Sequence, residues 1–114
     1  MPRRLSLVLA LDIGTSSVRS ALFDAEARPI RNSKMAQNYR VRHSVDRAAE
    51  LDPAVLLRAS KHCLRQTRRC LTKSRPVAIA ASGFWHSLLG LDRAGRPLTP
   101  IYTWADARCA PDAA

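Results

Sequence analysis

The sequence predicts a mixed α/β fold: an antiparallel strand meander, a long crossover helix, a parallel strand and a further hairpin. Three observations support this class. An apolar run at Leu5–Ile13 leads through a short turn cluster into a second apolar run, a helical period opens after Asp52-Pro53, and another apolar run covers Val77–Ser82. A helix between two strands forms a crossover, and crossovers of this kind join parallel strands.

The N-terminal part of the chain predicts three antiparallel strands. Continuous apolar side chains over Leu5–Ile13 are typical of a buried strand, and the run meets Asp12 without the small-residue site of a cleaved signal peptide. Val18–Asp24 predicts the second strand, and the third is expected within Ile30–Tyr39. Turns this short between strands require antiparallel pairing. The polar residues 40–50 predict a loop.

The central segment predicts an amphipathic helix that begins at Pro53 and ends near Lys73. Asp52 can accept hydrogen bonds from the first free N–H groups, and Pro53 lacks a donor that would otherwise stay unpaired. The dipeptide Arg75-Pro76 disfavours continuation of the helix. The apolar face carries Leu56, Ser60, Cys63, Leu64, Thr67 and Leu71, and another face carries Arg58, Lys61, Arg65, Arg68 and Arg69.

Two octets in the chain share one turn chemistry. Phe23–Ile30 and Leu91–Leu98 each place an aspartate four residues before an Arg-Pro pair, between apolar residues. We expect a hairpin turn at each octet, with extended runs on both sides of the second one. Gly95 can take a positive φ without strain, whereas Ala27 at the matching position would be more strained because it has a Cβ.

The charge of the chain is strongly basic and unevenly distributed. Its 114 residues hold 19 Lys and Arg against 9 Asp and Glu, a net charge of +10. Residues 51–75 carry seven basic groups and one acidic group, whereas residues 76–114 carry three of each. This distribution argues against a chain-wide basic coat and leaves the basic helix face as the candidate for an anionic partner. No apolar run approaches the ~18–20 residues of a membrane-spanning helix.

The three cysteines predict reduced thiols rather than disulfides. Cys63 and Cys70 lie seven residues apart on the predicted helix, so their Cα atoms would be about 10.5 Å apart. That separation exceeds the ~7 Å limit for a disulfide. The chain has no Cys-x-x-Cys pair, and its three histidines have no metal-ligand spacing. We therefore expect a cytoplasmic protein.

The sharpest local motif is the run Asp12-Ile13-Gly14-Thr15-Ser16 at the end of the first strand. Gly14 lets backbone N–H groups approach a phosphate, and the hydroxyls of Thr15 and Ser16 add donors. Arg19 adds positive charge close by. Asp12 supplies a hard oxygen ligand suited to Mg²⁺, held through water. An ordinary hairpin turn explains the same residue types, and neither a Walker-type loop nor Gly-x-Gly-x-x-Gly occurs.

Motifs in a fixed order along the chain resemble the FGGY family of carbohydrate kinases, within the superfamily of sugar kinases, heat-shock protein 70 and actin. His86-Ser87, Pro97-Leu98-Thr99 and Thr103–Asp106 are most similar to gluconokinase-type members, with xylulokinases next. The motifs that carry the resemblance are the Asp12–Ser16 turn, Glu50-Leu51-Asp52-Pro53, the run Ala80–Asp92 followed by Gly95–Leu98, and Thr103–Arg108 with its Trp-x-Asp-x-Arg pattern.

The resemblance implies a partial ribonuclease H-like domain of the actin-like ATPase superfamily, with the active site in a cleft between two such domains. It implies ATP and Mg²⁺ as cofactors. The phosphates would meet Gly14, Thr15 and Ser16, while Asp12 would lie near the metal and Arg19 near the phosphates.

The same resemblance assigns Trp85, His86 and Trp104 to positions that hold the sugar. His86 would hydrogen-bond a hydroxyl or carboxylate, and the two indoles would lie against the carbon chain. The pair Phe84-Trp85 departs from the smaller or unbranched residues that the family keeps there, which leaves the sugar class open.

The resemblance covers residues 1–114, with a core of about 5–108, as an incomplete N-terminal domain. It implies the N-terminal part of an ATP-dependent sugar kinase that phosphorylates a sugar or sugar-acid hydroxyl, with gluconate favoured. The aspartate base, the second phosphate loop and the adenosine site have no counterpart here, so we expect no catalytic residue and no activity from this chain alone. A separate chain is one source of the missing domain.

Two other functions remain open. The chain could be a small basic protein that binds nucleic acid or an anionic surface through the helix face at residues 58–69, although that face lacks interleaved aromatics. It could also be the vestigial, marginally folded product of a truncated kinase gene, with an open sheet edge and uncovered apolar surface.

Overall fold

A computed structural model describes residues 6–71 and 74–113 of the chain. Leu5 at the expected start of the first strand and Lys73 at the expected end of the helix lie outside the described residues. The elements in chain order are β1 (Leu7–Ile13), β2 (Ser17–Phe23), β3 (Met35–Asn38), β4 (Arg42–His43), β5 (Ala49–Leu51), α1 (Pro53–Arg69), β6 (Pro76–Gly83), β7 (Ile101–Tyr102) and a 3₁₀ helix (Ala110–Ala113).

The main sheet is built around β1. Its strand order is β3-β2-β1-β6, with β1 antiparallel to β2 and parallel to β6, and β2 antiparallel to β3. The predicted meander, crossover helix and parallel strand are therefore confirmed. Leu9 pairs with Leu22 on one side and with Ile79 on the other, so these three side chains share one face of the sheet.

The helix α1 covers part of that face. Asp52 caps its N-terminus, where the Oδ1 atom accepts the Ala54 N–H at 2.8 Å, and Pro53 occupies the first turn as predicted. The helix packs on β2 and β3. The core between helix and sheet contains Val18, Tyr39, Leu51, Ala59, Cys63 and Ile101.

Buried polar groups join α1 to the sheet. The hydroxyls of Thr67 and Ser20 lie 2.6 Å apart, and Thr67 also donates to the Ser33 carbonyl at 3.3 Å. The Cys63 thiol donates to the Val18 carbonyl at 3.3 Å, and burial raises the pKa of this thiol. Because each of these side chains has a partner, the cluster holds the helix on the sheet without an unsatisfied group. All three cysteines are free, as the sequence predicts.

The expectation of a loop over residues 40–50 was wrong. This stretch contains β4 and most of β5, which belong to a second sheet of order β4-β5-β7. Strands of two or three residues are too short to show a period of two. The partner of β5 also lies far along the chain, since Leu51 pairs with Ile101. Similarly, α1 ends at Arg69 rather than near Lys73, and the helix buries Ala59, which was not among the expected apolar positions.

The strand β6 forms an open edge of the main sheet, as expected. Its residues are exposed along most of its length, with Val77 70% and Ile79 65% exposed. The chain exposes 8915 Å² of surface, whereas a compact monomer of 12.6 kDa exposes about 6,200 Å². The described residues therefore leave apolar sheet surface without a covering element. No helix within 6–71 and 74–113 is long and apolar enough to cross a membrane.

The two octets form the same turn, which confirms the predicted repeat of hairpin chemistry. Asp24 accepts the backbone N–H of Arg28 at 2.9 Å, and Asp92 accepts that of Arg96 at 2.8 Å. Each arginine also donates its Nε–H to the same aspartate, at 2.9 Å and 2.7 Å. The hydrogen bond from the arginine backbone lowers the pKa of both carboxyl groups.

The residue with a positive φ in each turn, Ala27 or Gly95, allows a prediction about stability. Ala27 has φ 59° and Gly95 has φ 75°. An L-residue with a Cβ is strained in this region by about 1–2 kcal/mol, which a glycine avoids at a smaller entropic cost. We expect Ala27→Gly to raise the free energy of unfolding by about 0.5–1 kcal/mol and Gly95→Ala to lower it by a similar amount.

Urea unfolding followed by far-UV circular dichroism measures both effects. Ala25→Gly is the matched control, because Ala25 lies in the same turn without a positive φ, and it should lower the unfolding free energy slightly. Equal effects of glycine at positions 25 and 27 would contradict the strain at Ala27.

Candidate functional site

The carboxyl ends of β1 and β6 meet at one edge of the sheet, because the two strands run parallel. Asp12 lies opposite Arg19 of β2 and Ser82 of β6, so these exposed side chains share the sheet face away from α1. The loops after the two strands leave from this edge. They carry Gly14–Ser16 in one case and Phe84–Ser87 in the other.

The turn at Gly14–Ser16 is closed by its own backbone. The Gly14 N–H donates to the Ser17 carbonyl at 2.9 Å, and a Cβ on Gly14 would lie 3.2 Å from that oxygen. Gly14 therefore shapes the turn, and its N–H already has a protein acceptor. Among the described hydrogen bonds, the N–H groups of Thr15 and Ser16 have no protein acceptor, and both residues are exposed. These two residues are the donors that the turn can offer to a ligand.

A cavity of about 470 Å³ lies beside this turn. Thr15, Ser16 and Trp104 are among its lining residues. The structure thus brings two of the predicted phosphate-binding residues next to one of the predicted sugar-binding residues. The remaining lining residues are Tyr39, Arg40, Val41, His43, Thr103 and Ala105.

A second cavity, of about 620 Å³, shares the lining residues Thr103 and Trp104 with the first. His86 lines this second cavity and does not line the first. His86 has φ 55°, a left-handed conformation that is strained for a residue with a Cβ and is often found at functional sites. The other lining residues are Ser87, Leu88, Tyr102, Thr103, Asp106, Arg108 and Cys109.

Trp85 does not take part in either cavity. It is 79% exposed, and its ring centroid lies 6.3 Å from that of His86 with the planes tilted by 38°. Asp12, Gly14 and Arg19 also line neither cavity. Of the eight predicted site residues, Thr15, Ser16, His86 and Trp104 therefore line one or both cavities. The other four, Asp12, Gly14, Arg19 and Trp85, line neither.

An ion-pair network holds the loop that carries Trp104. The Asp106 carboxylate accepts the Ala49 N–H at 3.1 Å and the Arg108 Nη2–H at 2.6 Å. Arg108 also donates to Glu50 at 2.7 Å, and Glu50 pairs with Arg42 as well. The hydrogen bond from Arg108 holds the pKa of Asp106 far below its usual range, and hydrogen bonds from Arg42 and Arg108 lower the pKa of Glu50. The Trp-x-Asp-x-Arg motif thus ties the loop with Trp104 to β5. We call the contacts of Asp106 with Ala49 and of Arg108 with Asp106 and Glu50 the clasp.

Tyr39 is a site residue that the sequence reasoning missed. Its backbone N–H donates to the Ser16 carbonyl at 3.0 Å, which ties the residue to the turn. The side chain is only 8% exposed, and no hydrogen-bond partner for its hydroxyl is found among the described residues. Burial raises the pKa of this phenol, and the negative charge of Asp12 raises it further. A tyrosine after a strand carries no motif, so only the structure identifies it.

The described residues can bind a divalent cation only together with a ligand that supplies further oxygen atoms. Within 6–71 and 74–113, no group of three His, Cys, Asp or Glu side chains is placed to hold a metal. Asp12 is a lone exposed carboxylate at the strand end. Mg²⁺ binds through one or two carboxylates together with substrate phosphates and water, so a single aspartate beside a phosphate-sized turn suits it.

The basic face of α1 lines a different cavity from those beside Trp104. Arg58, Lys61, His62 and Arg65 line a shallow cavity with Gln37 and Asn38 of β3, and none of them lines either cavity beside Trp104. The lining residues of this cavity include no Phe, Tyr or Trp. The nucleic-acid interpretation of this face stays a prediction.

The parallel pair β1–β6, with a glycine–hydroxyl turn at its carboxyl edge and neighbouring cavities lined by Trp104 and His86, places this candidate site where ligands commonly bind in α/β proteins. The chain belongs to the FGGY family of carbohydrate kinases, whose N-terminal domain it matches over residues 7–113. The resemblance predicted from the motifs is therefore confirmed.

Relatives of known activity show how much of such a kinase this chain represents. The gluconokinase of Bacillus subtilis (strain 168) is 29% identical over 103 residues, which are 90% of this chain and 20% of that protein. The solved gluconate kinase from Lactobacillus acidophilus has a TM-score of 0.83 at 26% identity, covering 96% of this chain and 21% of that one.

A third comparison concerns the fold alone. The Plasmodium falciparum glycerol kinase, solved with ADP, has a TM-score of 0.86 at 18% identity over 95% of this chain and 22% of that one. The chain spans about a fifth of the length of the relatives that it matches. The chain therefore corresponds to part of the length of these kinases, and the predicted ribonuclease H-like α/β fold is confirmed.

The clasp on β5 makes a prediction about pH. The folded pKa of Asp106 lies far below its usual value of 3.8. Its stabilising contribution is therefore complete above about pH 4 and is lost as the pH falls from there towards the folded pKa. We expect Asp106→Asn to destabilise the chain most near neutral pH, with the difference from wild type shrinking below about pH 4.

Urea unfolding at several pH values between neutral and about pH 3 measures this difference. Asp112→Asn is the matched control, because Asp112 is exposed and its side chain has no hydrogen bond among those described. A destabilisation by Asp106→Asn that stays constant across the pH range would contradict the ionic clasp.

Proposed function

We propose that this chain supplies the phosphate turn and part of the sugar pocket of an ATP-dependent sugar kinase, with gluconate as the favoured acceptor. The observation that carries the proposal is the cavity lined by Thr15, Ser16 and Trp104, together with the second cavity that Trp104 and His86 both line. A donor site for phosphates and an acceptor pocket must adjoin in any kinase, since phosphoryl transfer depends on positioning the two reactants.

On the nucleotide side, the proposal assigns binding roles to the strand-end residues. The N–H and hydroxyl groups of Thr15 and Ser16 bind phosphate oxygens, and the Arg19 guanidinium adds charge. Gly14 keeps the turn tight enough for the backbone to approach. Asp12 holds Mg²⁺ through water. When bound, Mg²⁺-ATP supplies the phosphoryl group and the cation that neutralises its charge.

On the sugar side, the proposal assigns roles to the loop residues. The Trp104 indole lies against the carbon chain, and His86 donates or accepts a hydrogen bond to a hydroxyl or carboxylate. Trp85 packs beside His86 and would contact the sugar from outside the two cavities. The relatives named above include a gluconokinase and a gluconate kinase, which supports a sugar acid as the acceptor.

The chain does not carry its own general base. Asp106 is the carboxylate that lines the second cavity, but its pKa is held far below the usual range by Arg108. A general base works best with a pKa near the operating pH, so Asp106 is unsuited to accept the acceptor's proton. We propose that the aspartate base and the second ATP-binding unit are contributed by further polypeptide, in the same chain or in a separate one, in the cytoplasm. The core at about 5–108 is then an incomplete N-terminal domain.

The first prediction of this proposal is that the 114-residue chain is inactive alone. ADP release with ATP and gluconate, measured with a coupled assay on the purified chain, should not exceed the rate without protein. Turnover near 1 s⁻¹, the low end for kinases, would contradict the absence of a base.

The second prediction concerns a chimera in which residues 7–113 replace the matching segment of the Bacillus subtilis gluconokinase. We expect this chimera to phosphorylate gluconate with ATP. Asp12→Asn in the chimera should lower kcat by about 100-fold or more, because a preorganised electrostatic contact to the transferred group is lost.

Asp112→Asn is the control for this substitution, since it makes the same chemical change at an exposed position outside the proposed site. Both variants must melt like the parent chimera. A folded chimera that shows no phosphoryl transfer, or one that keeps its kcat with Asp12→Asn, would overturn the proposal.

A further inference from the structure

The helix α1 carries positive charge that the proposed function does not use. Its residues Pro53–Arg69 include no Asp or Glu, and its basic residues are Arg58, Lys61, Arg65, Arg68 and Arg69, all exposed. At about 100° per residue, these five positions fall within about 100° of the helix circumference. The buried residues Ala59, Cys63 and Thr67 lie on the other side of the helix. The five basic residues therefore form one continuous surface, which we call the basic stripe.

No carboxylate within the described residues pairs with the basic stripe. Every ion pair of the described residues is made by an arginine outside α1, namely Arg28, Arg42, Arg96 or Arg108. On the stripe, Arg69 donates to the neutral amide of Gln66 at 3.1 Å. Arg65 has like charges four residues before it and three and four residues after it, and such pairs destabilise a helix. A bound polyanion would relieve this repulsion.

The strand β3 adds polar side chains next to the basic stripe. Gln37 and Asn38 of β3 line a cavity of about 410 Å³ together with Arg58, Lys61 and Arg65 of the stripe. The lining residues of this cavity include no Asp or Glu. Arginine, lysine and the side-chain amides are the groups that commonly contact phosphate oxygens in complexes with nucleic acids. The composition of this cavity therefore matches a phosphate backbone.

The loop before β3 lies beside the C-terminal end of the stripe. The Ser33 carbonyl accepts a hydrogen bond from Thr67 at 3.3 Å, and the Asn32 carbonyl accepts one from the Cys70 thiol at 3.4 Å. The same loop contains Arg31 and Lys34, which are exposed and take part in none of the described ion pairs. Basic residues of this loop thus continue the positive surface beyond the helix.

The length and chemistry of the surface favour a double-stranded nucleic acid. From Arg58 to Arg69 the stripe runs about 16 Å along the helix axis. One strand of a DNA duplex places about five phosphates in that length, as many as the stripe has basic residues. The cavity lining has no Phe, Tyr or Trp on which unpaired bases could stack, so a single strand has no platform here. Contacts with phosphates alone carry no sequence information.

We propose that the basic stripe, with Gln37 and Asn38 of β3, binds the phosphate backbone of a double-stranded nucleic acid without reading its sequence. The cavity beside the stripe shares no lining residue with the two cavities beside Trp104. The inference therefore does not rest on the proposed kinase function, and an inactive kinase chimera leaves it in place.

Fluorescence anisotropy with the full chain and a labelled duplex of about 20 base pairs, about 68 Å long, tests the proposal. The logarithm of the affinity should fall linearly with the logarithm of the salt concentration, with a slope of about −4 for four to five phosphate contacts. Duplexes of unrelated sequence should bind equally well. A DNA duplex and an RNA duplex of the same sequence are compared, and the tighter of the two identifies the source of the phosphates.

The variant Arg58→Gln/Arg65→Gln removes two charges from the stripe. The slope should become shallower by about 2, and the affinity at low salt should fall by at least about 10-fold, because two phosphate contacts are lost. Circular dichroism should show a melt no lower than that of the wild type, since repulsion between like charges is reduced. Lys61→Gln alone gives a second measurement, with a slope shallower by about 1.

Arg47→Gln/Arg93→Gln is the matched control, because both arginines are exposed and neither lines the cavity beside the stripe. It makes the same change in net charge and should keep the wild-type slope. The proposal is overturned if the wild type does not bind the duplex at low salt, or if the stripe and control variants weaken binding equally. Tighter binding of a single strand, of polyglutamate or of vesicles with anionic lipid, at matched charge concentration, would also overturn it.

Discussion

The parallel hydrogen bonding between β1 and β6 is the constraint on which the candidate site depends. It brings the carboxyl ends of the two strands to one edge, where the loop at Gly14–Ser16 and the loop at Phe84–Ser87 begin. An antiparallel pairing would put these loops at opposite ends of the sheet. The crossover α1 makes the parallel pairing possible, and the buried contacts of Thr67 with Ser20 and Ser33 hold α1 in place. The chemistry at the edge is therefore supported by packing on the opposite face of the sheet.

The second sheet brings the third part of the site to the same edge. Thr103 and Asp106 bind the backbone of Ala49, and Arg108 reaches Glu50, so the loop with Trp104 is tied to β5. The strand β5 leads directly into α1 through Asp52. The strand β5, which holds the loop with Trp104, is followed directly in the chain by α1, which leads to β6. The Trp104 loop and the β6 loop are therefore anchored to consecutive elements.

The local elements could be predicted from the sequence, because apolar runs, the Asp-Pro cap and the Asp-to-Arg turns have short-range signals. The short strands β4, β5 and β7 could not, because Leu51 finds its partner at Ile101 and nothing local marks either residue. The same holds within the site. Asp12 and the turn follow from a contiguous motif, whereas the meeting of Trp104 with Thr15 and Ser16 requires the tertiary structure. Tyr39 had no signal at all, since a buried phenol is an ordinary core residue until its hydroxyl is seen to lack a partner.

The uncovered surface of β6 bears on how the site would become complete. Its sequence, Pro-Val-Ala-Ile-Ala-Ala-Ser-Gly, has the continuous apolar character of a parallel strand buried on both faces, yet Val77 and Ile79 are mostly exposed. The strand that leads to His86 is therefore held by its pairing with β1, while its two faces are largely uncovered. Any polypeptide that covers β6 would fix the His86 loop relative to the Gly14–Ser16 turn, and the relatives hold several times more chain than this one. Covering the apolar face and fixing the loop with His86 are thus linked, because β6 provides the surface for the first and leads directly into the second.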